Sequence, residues 1–230
     1  MIAASVLAGG LLAVVGQVYQ TGADAFELFI AWTILILPWV LASRSAAHWL
    51  LWLVVGYAAL GLYGEQVMVP RGSLSANDIL VNLGVLTAPI LAVRELAVRR
   101  GFAWLSGHWT RLVLLIAGFG LLFPPGFGFV FDANDDLLAV LALVAALAGA
   151  ALAYRRWLPD MAALSIVAGV ASLLLMSAGY RVLDEVAGFD WDASLKDLTL
   201  IGLLIAWCVL VTGAAAKTMR RIHASAEPGA

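Results

Sequence analysis

The sequence predicts an all-α fold, a polytopic integral membrane helix bundle of about eight transmembrane helices with both termini cytoplasmic. Three observations carry this. Hydrophobic residues make up 63% of the 230-residue chain, charged residues only 12%, and the mean hydropathy is +0.99; soluble domains run at about 45–50% and about 25%. The apolar residues lie in continuous runs close to the ~20 residues that a spanning helix needs. Basic residues gather on alternate connections between those runs. Runs without two-residue alternation favour helices over a barrel, because backbone groups cannot stay unpaired in lipid. Residues 1–216 read as one transmembrane domain and residues 217–230 as a short basic cytoplasmic tail, which leaves no room for a separate soluble domain.

The first run, Ile2–Tyr19, has no Lys/Arg segment ahead of it. The polar Gln17-Val18-Tyr19-Gln20 is no small-residue cleavage site, so this is a retained helix and not a signal peptide. The second and third runs, Ala25–Ala42 and Ala47–Tyr63, are joined so closely that they must form a tight antiparallel hairpin. The fourth is Asp78–Val93. The fifth, Trp109–Phe123, is the weakest: it is short and stops at Phe123-Pro124-Pro125-Gly126, where two prolines remove backbone donors. It either extends to Phe131 as a broken helix or is re-entrant. Leu137–Tyr154, Met161–Tyr180 and Leu195–Ala216 complete the series.

Loop charge orients these elements. The connections after runs two, four and six, with the C-terminus, carry Arg44, Arg94, Arg99, Arg100, Arg111, Arg155, Arg156, Lys217, Arg220 and Arg221. The other side carries Arg71, Arg181 and Lys196, a split of 10 to 3 among the 13 basic residues. The positive-inside rule places the first group in the cytoplasm. Trp49, Trp52, Trp104, Trp109 and Trp157 fall near the same ends, where amphipathic rings suit the interface. Reporter fusions at Gly107, Asp135 and the C-terminus should read inside, outside and inside. An external C-terminus would overturn the eight-helix count.

Most chemistry is excluded by residue type. With 13 basic and 15 acidic residues there is no basic excess for nucleic acid. Cys208 is the single cysteine, so no intramolecular disulfide forms. His48, His108 and His223 have no metal-ligand spacing, and no phosphate-binding loop or lipidation motif occurs. No nucleophile–base–orienter set can be assembled from residue types at membrane depth. The reading is therefore non-enzymatic, with no cofactor and no metal.

Three features remain. Small residues recur at helical spacing in Ser5/Gly9/Ala13/Gly16, Ala142/Ala146/Ala150 and Ser165/Gly169/Ser172, the ordinary device for close helix packing, with a substrate path as the sharper alternative. Asp132, Asp135 and Asp136, and Asp184, Glu185, Asp190 and Asp192, form outer acidic clusters without a calcium-loop pattern. The third is the segment Gly16-Gln17-Val18-Tyr19-Gln20-Thr21-Gly22-Ala23-Asp24, followed by Glu27-Leu28-Phe29, Trp32 and Leu37-Pro38-Trp39. Its pattern resembles the signature of the bacterial predicted membrane proteins grouped as domain-of-unknown-function family 2157: glycine-glutamine-x-tyrosine-glutamine, a Gly/Asp turn, then Leu-Phe, Trp and Leu-Pro. The likeness covers about residues 16–39, and this chain resembles an N-terminally short form of the family. It implies a polytopic inner-membrane protein and supplies no activity.

The candidate site is this outer corner: Gln17, Tyr19, Gln20, Asp24, Glu27 and Trp32. Gln17 should face the bundle on the Gly9/Ala13 stripe, Asp24 or Thr21 should cap the second helix, and Trp32 should wall the corner about two turns deeper. Two functions fit: a structural or regulatory membrane subunit, or a small-molecule or lipid transporter with an outward polar pocket between helices 1 and 2. The partners expected are the lipid bilayer and a membrane protein or a second copy of the chain.

Overall fold

A computed structural model describes residues 1–18, 24–131, 137–187 and 193–226. All regular structure among them is helical: α1 (Ile2–Val18), α2 (Ala25–Ser43), α3 (Ala46–Tyr63), α4 (Ala76–Arg99), α5 (His108–Phe131), α6 (Leu137–Arg156), α7 (Met161–Ala187) and α8 (Ala193–Ala226). Among the described residues, six stretches are long and apolar enough to cross a membrane: Ala25–Ser43, Ala46–Met68, Ala76–Arg99, His108–Gly128, Leu137–Arg156 and Met161–Gly179. Ile2–Gln17 and Gly202–Thr218 are shorter apolar segments. The chain is an integral membrane helix bundle, as its composition requires.

Two compact units divide it, Met1–Leu121 and Leu122–Ala230, with the boundary inside α5. In the first unit α2 and α3 pack most extensively. Only Arg44 and Ser45 separate them, and Arg44 turns the chain in the left-handed region at φ 44°. A π-helical turn, Gly64–Met68, prolongs α3. Its first residue, Gly64, lies so close to Ile79 of α4 that a Cβ would press on that side chain.

Helix ends explain where the elements start and stop. Ser75 and Asp78 form a reciprocal capping box that begins α4 before its apolar run. Gly101 ends α4 at φ 91°, with its N–H on the Val98 carbonyl and the Phe102 N–H on Ala97, the left-handed glycine stop. In the second unit the Asp160 carboxylate accepts the N–H groups of Ala162 and Ala163 and so starts α7.

The fifth run is one helix, not a re-entrant segment. Pro124 and Pro125 lie inside α5, which continues to Phe131. Proline costs the helix its bonds to the carbonyls four residues back, yet Pro125 is buried and Gly126 approaches Leu143 of α6 closely. Tertiary packing at Pro125 and Gly126 holds this stretch of the helix in place, while Pro124 is exposed. The expected basic tail from residue 217 continues the helix, since α8 runs to Ala226.

Candidate functional site

Three helices of the first unit meet at Ser5. The Trp32 indole of α2 donates to the Ser5 carbonyl at 2.8 Å, while Ser5 Oγ lies 2.7 Å from His48 Nε2 on α3. His48 Nδ1 is 2.9 Å from Ser43 Oγ, whose hydroxyl donates to the Val40 carbonyl at 3.0 Å. Because the Ser43 proton is committed, its oxygen accepts from Nδ1–H. Nε2 then accepts from the Ser5 hydroxyl, and a neutral imidazole satisfies every bond. Ser5 and His48 are both 0% exposed. The line Ser5–His48–Ser43 has the connectivity of a nucleophile, a base and an orienting group. Sequence reasoning did not assemble it, because its members lie on different helices. With Ser5 and His48 wholly enclosed, it joins helices.

Gly9 completes this joint. It lies one turn from Ser5, and a Cβ there would overlap the Trp32 ring. The missing side chain lets the indole reach the carbonyl four residues earlier. The second unit repeats the device between α7 and α8: a Cβ at Gly179 would overlap Trp207, whose indole donates to the Leu175 carbonyl at 2.9 Å. In both cases the acceptor precedes the glycine by four residues.

The outer corner is built differently from expectation. Tyr19, Gln20 and Thr21 lie outside the described residues. Gln17 is exposed at the end of the Gly9/Ala13 stripe, because α1 meets α2 lower down, at Trp32. Asp24 occupies the N-cap position of α2 but its side chain makes no capping bond, and Asp24 and Glu27 are exposed. The capping oxygen comes from elsewhere: Gln66 Oε1, on the π-helical turn, accepts the Phe26 N–H at 3.3 Å. Phe26 and Tyr63 meet edge to face at 5.3 Å between ring centres. Asp132, Asp135, Asp136, Asp190 and Asp192 lie outside the described residues.

A second polar cluster closes the other end of α4. Arg94, 1% exposed, donates Nη1 to Glu95 at 2.6 Å, Nε to Thr110 at 3.2 Å, and Nη2 to the Leu105 and Gly107 carbonyls at 2.8 and 2.9 Å. Arg111 grips Glu95 with Nε and Nη2, both at 2.8 Å. One carboxylate thus serves two guanidiniums, and the loop from α4 to α5 is tied to Arg94. Nearer the middle of the helices, Thr87 Oγ1 donates to Leu83, so the Tyr57 hydroxyl 2.9 Å away donates to Thr87 and links α3 to α4.

The comparisons with known proteins fall on the Ser5 joint. Residues 1–49 match the family model described as "Predicted membrane protein (DUF2157)". This is the family whose signature residues 16–39 resemble. The DUF2157 match covers α1, α2 and the start of α3, and with them Ser5, Gly9, Trp32, Ser43 and His48. The arginine–glutamate cluster and the whole second unit lie beyond the matched residues. No curated protein and no solved structure matches the chain.

Proposed function

We propose that this chain is a non-catalytic subunit of the bacterial inner membrane, structural or regulatory, that docks a partner helix on α7. The observation that carries this reading is how its buried polar side chains are used. Ser5, His48, Thr87, Arg94, Glu95 and Thr110 are all engaged in the joints described above, and among the described residues no buried side-chain N or O lacks a partner. Such groups position helices and leave nothing aimed at a substrate. On α7, Ser165 and Gly169 are exposed with open space at Gly169, and the Ser165 hydroxyl is satisfied by its own helix at Met161. A face that small admits a neighbouring backbone. In a Cys208→Ala background, Gly169→Cys should form a discrete cross-linked adduct in native membranes. Absence of any adduct with a short bifunctional reagent would overturn the docking face.

A second reading has one observation in its favour. The π-helical turn brings the Gln66 amide to the outer corner beside Asp24 and Glu27, and such turns are frequent at functional sites. On this reading the corner is the mouth of a transporter. Gln17→Leu and Asp24→Ala should then accumulate normally in the membrane but lose function. If the corner is solvated surface, as the exposure of Gln17 and Asp24 and the missing Asp24 cap would allow, both variants keep normal yield and full function, and the transporter reading is overturned.

A further inference from the structure

A groove of about 630 Å³ runs between α6, α7 and α8. Its walls are apolar, among them Leu164, Val167, Ala171 and Val211, and its two ends differ. One end is lined by Trp207, whose indole N–H is already engaged at Leu175. The other end holds Arg155 and Thr218. Along α8 the distance between these ends is roughly 16 Å at 1.5 Å per residue. Arg155 is exposed and makes no hydrogen bond or ion pair with any described residue, and exposed Arg156 and Lys217 adjoin the same end. Arg155 is also the penultimate residue of the Leu137–Arg156 span, the level at which a long basic side chain reaches the headgroups.

We propose that this groove binds an anionic phospholipid, with its phosphate on the Arg155 guanidinium and one acyl chain lying along α7 and α8 toward Trp207. The charge pattern selects this occupant. A dry slot with one cationic end matches an amphiphile with one anionic end, and basic pockets between membrane helices hold such headgroups. An apolar partner helix in the same slot would make no use of the guanidinium at its end, whereas a phosphate pairs with it. Ser165 and Gly169 do not line the groove, although Ser172 of the same stripe does, and the proposal does not depend on the subunit reading.

The test uses the full chain, delipidated in a neutral detergent and titrated with phosphatidylglycerol or phosphatidylcholine of matched chains, with bound lipid counted by native mass spectrometry. The wild type should bind phosphatidylglycerol tighter by roughly fivefold, the value of one basic contact near the headgroups. Arg155→Gln, a change at an exposed position, should abolish that preference, and Arg156→Gln should retain it. Ala171→Leu, which fills the groove, should weaken both lipids. Equal binding of the two lipids by the wild type, a preference that survives Arg155→Gln, or unchanged binding by Ala171→Leu would each overturn the proposal.

Discussion

Arg94→Ala is expected to destabilise the protein by about 3–5 kcal/mol, the range for breaking a buried charged pair by removing one partner. The cost has several sources. The Leu105 and Gly107 carbonyls and the Thr110 hydroxyl lose the guanidinium that ties the α4–α5 loop, and the largest fully enclosed side chain among the described residues is removed. Glu95→Ala should cost a comparable amount for the opposite reason. It leaves Arg94 charged and enclosed, with only neutral acceptors. Arg100→Ala, six residues beyond Arg94 and exposed, should stay within about 0.5 kcal/mol of the wild type. Thermal unfolding of the purified variants in one detergent distinguishes these outcomes. An Arg94→Ala chain as stable as Arg100→Ala would mean that the loop is held by its backbone alone.

Gly9→Ala is the second large effect. The added methyl cannot share space with the Trp32 ring, and moving the ring breaks its bond to Ser5. Overpacking of this kind costs about 1–3 kcal/mol. Gly10→Ala tests the explanation, because nothing lies within 4 Å of a Cβ at that position. There alanine should be neutral or stabilising by up to about 1 kcal/mol, the usual gain over glycine inside a helix. Gly179→Ala and Gly169→Ala form the same contrast on α7, since Gly179 faces Trp207 and Gly169 faces open space. Equal melting temperatures for Gly9→Ala and Gly10→Ala would refute the steric account.

Hydropathy made the helices legible but not their ends. The run Asp78–Val93 belongs to a helix that starts at Ala76 and ends at Arg99, because hydropathy marks residues suited to lipid whereas caps and hydrogen bonds set the boundaries. The tight α2–α3 hairpin was readable from the shortness of its connection. The prolines of α5 misled in one direction: local chemistry favours a stop, and packing of Pro125 and Gly126 overrides it. Charge counting placed Arg94 and Arg111 on a solvated cytoplasmic loop, but both converge on Glu95. The Arg94-Glu95 pair was visible in the sequence, whereas its meeting with Arg111 depends on how the intervening loop folds back. Ser5 was legible as a small packing residue, but nothing local pairs it with His48. Their pairing exists only once three helices have chosen a register, and the same holds for Gln66 as the cap of α2.

The Trp32–Gly9 and Trp207–Gly179 contacts each join two helices that follow one another in the chain, α1 with α2 and α7 with α8. During synthesis such a hairpin holds everything needed for its own alignment once its second helix enters the bilayer. A pair that slipped by one turn would leave the indole N–H without an acceptor in hydrocarbon, at a cost of several kcal/mol per unsatisfied group. It would also set the ring against a residue with a side chain. The α1–α2 and α7–α8 hairpins can therefore proofread their alignment as they insert, independently of the helices made between them.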